Sequence, residues 1–171
     1  MYSSKVVLSV VDLSNIELST EEYTMIEIRN MKPEDYDQVY DLWIHTPGMG
    51  LNHLDDSREG IEKYLKRNPD TCYLALENQM IIGAIMCGHD GRRGMIYHTV
   101  VKEEHRGRGI GRRLVEAAMH ALEKEGIHKV GLLVFGRNEI GNKFWEKMGF
   151  TERTDIVYRN KCIKELIRID T

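Results

Sequence analysis

The stretch Arg106-Gly107-Arg108-Gly109-Ile110-Gly111 constrains this chain more than any other. It follows an apolar, β-branched segment, Met95 to Val101, and opens an amphipathic run, Ile110 to Lys124. A strand, a tight glycine turn and a helix start in that order form a cradle for a phosphate. The N–H groups of the turn and of the first helical turn have no intrahelical partner, so they point at an anion. Glycine lets the main chain approach a ligand closely, and Arg106 and Arg108 add positive charge. A helix start with a solvated basic face is the plainer reading; a second matching segment downstream weighs against it.

Two well-known glycine loops do not fit. A P-loop needs Lys-Ser/Thr after its last glycine, where Arg112-Arg113-Leu114 stands. A dinucleotide fingerprint needs a third glycine where Arg112 sits, and an acidic residue after the next strand, which reads Leu132-Leu133-Val134-Phe135. The pattern Arg/Gln-x-x-Gly-x-Gly/Ala is met by Arg106, Gly109 and Gly111. Downstream lie a strand (Lys129 to Phe135), Asn138, a helix and Phe144-Trp145-Glu146-Lys147-Met148-Gly149-Phe150. Together these segments resemble the GNAT family of N-acetyltransferases, over roughly Ile26 to Tyr158. Gly141 stands at a family Ala position and Trp145 at a family Tyr position.

Composition narrows the partners. At 171 residues one domain is expected, burying roughly 70% of its unfolded surface. A net charge of −3 implies no general attraction to nucleic acid or to a membrane surface, and no apolar run approaches the ~20 residues of a spanning helix. Cys72, Cys87 and Cys162 show no metal spacing and fit reduced thiols in a cytoplasm. The seven histidines show no ligand spacing, so no metal is expected. Residues 1–24, with a possible strand at Val6 to Val11, read as an N-terminal extension, and Lys5 with the acidic stretch beyond argues against a secretory signal. The catalytic-type domain spans 25–171.

Periodicity supplies the elements. Ile26 to Arg29 alternates as a strand. Pro33-Glu34-Asp35 starts a helix carrying Val39, Leu42 and Trp43, broken by Thr46 to Leu51. Ser57 opens a second helix with Ile61, Tyr64 and Leu65 on one face, ending before Asn68-Pro69. Cys72 to Leu76 and Met80 to Met86 form a hairpin about Glu77-Asn78-Gln79, and Asp155 to Arg159 reads as a further strand. The resemblance implies an α/β (α+β) fold: one mixed, mostly antiparallel sheet, splayed at the cofactor site and flanked by helices on both faces.

It also implies acetyl-CoA as co-substrate and a set of site residues. Residues Arg106, Gly107, Arg108, Gly109, Ile110 and Gly111 would grip the pyrophosphate, and main-chain groups of Thr99, Val100 and Val101 the pantetheine arm. Asn138 would meet the cofactor, although Asn is equally at home as a helix N-cap. Many relatives carry at the Trp145 position a Tyr that protonates the leaving thiolate; an indole N–H donates no proton. Trp145 either lines the cofactor site or fills the core beside Phe144 and Met148. Tyr158 or Tyr97 would then substitute as acid. His98, where some relatives place Glu, is the candidate base, since an imidazole titrates near physiological pH; a hydrogen-bonded core histidine is the other reading. Leu133 occupies a position where ribosomal-protein N-terminal acetyltransferases place Glu.

The acceptor is expected at Trp43 through Asp56, a loop with Met49-Gly50-Leu51-Asn52-His53. Asp55 and Asp56 read as a solvated acidic turn or as a lure for a cationic amine, and Arg92 and Arg93 as solvated loop charges or as a steer for the cofactor's phosphates. Three function classes follow: an acetyl-CoA-dependent N-acetyltransferase for a small-molecule or peptide amine, a binding module with little catalysis, and, disfavoured by charge and by the lack of interleaved aromatics, a nucleic-acid binder. A homodimer is compatible with the family.

Overall fold

A computed structural model describes residues 25–169, and the possible strand at Val6 to Val11 lies outside them. The elements run β1 Glu27–Asn30, α1 Tyr36–Ile44, β2 Leu51–Asn52, α2 Arg58–Arg67, β3 Tyr73–Glu77, β4 Met80–His89, β5 Gly94–Val101, α3 Ile110–Lys124, β6 Val130–Leu132, α4 Glu139–Lys147 and β7 Arg168–Ile169. Strands β1-β3-β4-β5-β6 form one sheet, antiparallel except for the parallel β5–β6 pair. A two-stranded ribbon joins β2 to β7.

Strand β4 is buried on both faces and reads as an unbroken apolar run. Leu74, Leu76, Ile81, Ala84 and Met86 face α1 and α2, packing on Val39, Leu42, Trp43, Ile61 and Leu65. Ala75, Ile82, Ile85 and Cys87 face the other way, onto Ile110, Leu114, Val115, Ala118 and Leu122 of α3 and Trp145 of α4. Each fully buried aliphatic side chain in these two layers contributes about 1.5–3 kcal/mol. Ser57 starts α2 by accepting from the Gly60 N–H at 3.1 Å, the capping that its position predicts. The β3–β4 turn closes through Asn78 and Gln79, both left-handed (φ 50° and 63°).

Two sequence expectations fail. The strand expected over Lys129 to Phe135 pairs only through Val130–Leu132, leaving Leu133 and Phe135 exposed. No strand forms around Asp155 to Arg159; Ile156, Val157 and Tyr158 are exposed, while Arg153 closes a bidentate pair on Asp155 at 2.6 and 2.7 Å. Strand propensity records fit to a neighbouring strand, and no strand among the described residues pairs with this segment. The chain's last strand is instead Arg168–Ile169, against Leu51–Asn52.

Candidate active site

Strand β5 carries the site because it is irregular at one point. Cys87 pairs with Ile96 and Ile85 with Thr99, so Met86 alone opposes both Tyr97 and His98. Such a bulge re-aims side chains and bends the strand. It turns Tyr97 toward Tyr64 of α2 (ring centroids 5.8 Å) and His98 toward Trp43 of α1 (4.9 Å). Pairing with β6 stops at Ile96–Leu132, so from Tyr97 onward the β6 side of β5 pairs with no strand among the described residues. Thr99, Val100 and Val101 line that released stretch, with the Val100 side chain in the core.

Beyond Val101, Lys102 N–H still bonds Ile82 at 2.9 Å and Arg106 N–H bonds Glu103 at 3.1 Å. The chain then turns through Gly107 (φ 79°) and Gly109 (φ 76°), left-handed conformations that favour glycine. Six consecutive N–H groups, Gly107 to Arg112, have no acceptor among the described residues. They stand at the start of the 15-residue α3, whose first turn holds no acidic side chain. A Cβ on Gly107 or Gly109 would meet nothing within 4 Å, so one side of the loop is open. Gly111 differs: its Cβ would lie 3.3 Å from the Phe144 ring, so this glycine lets α3 pack on α4. The amides, the helix dipole and the open side together suit a diphosphate.

The arginines are not all free charges. Arg108 forks onto Glu77 at 2.6 and 3.3 Å, and His105 reaches the same carboxylate at 3.0 Å. The Arg108 hydrogen bonds hold the Glu77 carboxyl below its usual range. Arg108 therefore fastens the loop to the end of β3 through Glu77. Arg106 bonds the Val101 carbonyl through Nε at 3.1 Å, and Arg113 the Ile26 carbonyl at 2.9 Å. The exposed Arg92 and Arg93 donate their main-chain N–H groups to Asp90.

His98 and Asp56 are 42 residues apart and meet at 2.6 Å, Nε2 to Oδ1. Asp56 is buried, which overturns its reading as a solvated turn. Its Oδ2 accepts the Asn52 N–H at 2.6 Å, and its carbonyl the Tyr36 hydroxyl at 2.9 Å. Gly50 of the same α1–α2 loop approaches the Phe135 ring, where an added Cβ would sit 3.5 Å away. The loop thus touches β5 at His98 and the chain beyond β6 at Phe135, spanning the gap between the diverging strands.

Asn138 caps α4, its Oδ1 accepting the Gly141 N–H at 2.9 Å, and its side chain is exposed. Trp145 is buried edge-on to Phe144 and Phe150 (4.9 and 5.2 Å), which is core packing. Tyr158 lies on the exposed segment; its negative form would disfavour that of Tyr97, whose phenol is pushed upward mainly by burial. The sequence reading missed Asp56 and Glu77 as partners. Neither carries a local signal, because each meets its partner only through the sheet. Among the described residues no His, Cys, Asp or Glu group is arranged to hold a metal, and no helix is long and apolar enough to cross a membrane.

Residues 36–150 match the model of the acetyltransferase (GNAT) family. An acetyltransferase of Pectobacterium atrosepticum is 31% identical over 140 residues, covering 82% of this chain and 97% of that protein. One from Sodalis glossinidius is 30% identical with the same coverage. In fold the chain is similar to the PaiA N-acetyltransferase of Thermoplasma acidophilum, solved in complex with coenzyme A: TM-score 0.67, 23% identity, 77% of this chain and 93% of that one.

Proposed function

The chain belongs to the GNAT family of acetyltransferases, and on that premise we propose that it moves an acetyl group from acetyl-CoA to a primary amine of a small molecule or peptide, by direct attack in a ternary complex. The observation that carries this reading is the row of six N–H groups, Gly107 to Arg112, unpaired among the described residues, beside a strand edge released after Ile96. Bound there, acetyl-CoA supplies an activated acyl group as its thioester.

The protein's own contribution is mostly positional. Loop amides and the α3 N-terminus hold the diphosphate, and main-chain groups of Thr99 to Val101 align the pantetheine arm as an added strand would. Holding both reactants together is worth about 7–11 kcal/mol in favourable cases. A free N–H of β5 polarises the thioester carbonyl. The amine nitrogen forms the new C–N bond as the C–S bond breaks. Its proton passes to His98, directly or through water, and the thiolate draws a proton from solvent. A thiol with an ordinary pKa of about 8.5 leaves without a dedicated acid, which suits a site whose Trp145 is packed in the core and whose Tyr158 is exposed.

A binding module with little catalysis is the second reading, favoured by that same absence of a hydroxyl at Trp145. Titration calorimetry with coenzyme A and acetyl-CoA, run beside mass spectrometry of an amine panel, separates the two. Saturable heat plus an amine gaining one acetyl group is the expected result. Heat with no acetylated amine favours the module, and no heat at millimolar coenzyme removes both. The free thiols Cys72, Cys87 and Cys162 support a reducing, cytoplasmic setting.

A further inference from the structure

A base must present a lone pair, and the His98–Asp56 contact decides which ring nitrogen can. An ionised carboxylate only accepts hydrogen bonds, so the nitrogen facing it carries the hydrogen whenever the ring is neutral. The nitrogen facing Asp56 is Nε2, at 2.6 Å. Nδ1 has no hydrogen-bond partner among the described residues, and it is absent from the buried side-chain atoms that lack a partner, so its surface is not closed off. Asp56 is the one carboxylate within ion-pairing distance of His98 among the described residues.

We propose that Asp56 is a positioning residue that holds His98 as its Nε2–H tautomer and leaves Nδ1 as the basic nitrogen open to the reacting amine. This rests on His98 being the base, as read above. The carboxylate is itself immobilised: Asn52 N–H holds Oδ2, Tyr36 holds the main-chain carbonyl, and the imidazole lies edge-on against buried Trp43. Neither of the two hydrogen bonds involves Nδ1. A contact that only tied the α1–α2 loop to the sheet would not need an acceptor-only group opposite the ring, and this supplies the test.

In Asp56→Asn the Asn52 N–H claims the amide oxygen, so the NH2 turns toward His98. Nε2 must then accept, and the ring proton moves to Nδ1. Long-range ¹H–¹⁵N spectra at about pH 8.5, above the usual imidazole range, read this directly, with His98→Gln assigning the signal. The expected result is Nε2–H in the unaltered protein and Nδ1–H in Asp56→Asn. With it, kcat should fall on the order of 100-fold, while KM for acetyl-CoA stays within about twofold. An Nδ1–H or doubly protonated ring in the unaltered protein overturns the proposal, whatever the variant does. So does an Nε2–H tautomer that persists in a folded Asp56→Asn protein. If the tautomer moves as expected but His98→Gln keeps full turnover, Asp56 does set the ring and the base reading beneath it is what fails.

Discussion

Glu77 and Arg108 form a two-pronged pair, at 2.6 and 3.3 Å, that fastens the β3–β4 turn to the loop before α3. His105 joins the same carboxylate from within that loop. The loop's amides from Gly107 onward are unpaired among the described residues, so these side-chain contacts help keep it in shape before any ligand arrives. Removing the carboxylate in Glu77→Ala should let the segment open more often. Cleavage by trypsin after Arg106 and Arg108, followed by mass spectrometry, should accelerate about two- to fivefold, the range for an exposed pair whose opening is fast. Equal cleavage rates would mean that the turn and the loop are independent.

Gly109 and Gly111 should respond to substitution in opposite ways. Gly109 is left-handed with free space where a side chain would go, so Gly109→Val costs about 1–2 kcal/mol of backbone strain and leaves the core untouched. It places a branched group over the open side of the amide row, and the calorimetric signal with coenzyme A should vanish while melting falls by a few degrees. Gly111→Ala points its methyl at the Phe144 ring, away from that side, and should keep the signal. A normal isotherm for folded Gly109→Val would locate the diphosphate elsewhere.

The helices and the loop were legible in the chain because their signals are local. Ser57, Asn138 and the glycines announce ends and turns through their own backbone chemistry, and the α3 bounds agree with the Ile110 to Lys124 periodicity. What escaped depends on partners far along the chain. The bulge opposing Tyr97 and His98 to Met86 is a matter of register, which apolar residues on both faces of β4 leave unmarked. Asp56 looked like a surface acid until His98 and Asn52 closed on it. Ile156-Val157-Tyr158 has strand composition but pairs with no strand among the described residues.

Asp35 should give stability an acid limb. Burial pushes its carboxyl up, but the Arg29 fork, at 2.7 and 2.8 Å, and the Lys32 N–H outweigh that, leaving it below the ordinary value. Between the unfolded value of about 3.9 and the lowered folded one, the unfolded chain binds more protons. The contribution is therefore complete above that window and drains away as pH falls through it. Urea midpoints should hold steady from pH 7 to about 5 and decline below about 4. Asp35→Asn should lose about 1–3 kcal/mol at neutral pH and show a shallower acid decline. An unchanged acid slope would show that other carboxylates govern it.

Trp145→Phe separates a packing role from a chemical one. The indole lies between Phe144 and Phe150 in the layer beneath α3, and a phenyl ring fills less of that space. The expected cost is about 1–3 kcal/mol of stability, from lost contacts and the small void left behind. Because the cofactor loop is built from residues 106–111 and fastened through Glu77, none of its hydrogen bonds passes through Trp145. Turnover below the new melting point should stay within about threefold of the unaltered enzyme, since 0.6 kcal/mol in the barrier corresponds to roughly that factor. A large kcat loss with unchanged melting would instead put the indole against the reacting groups.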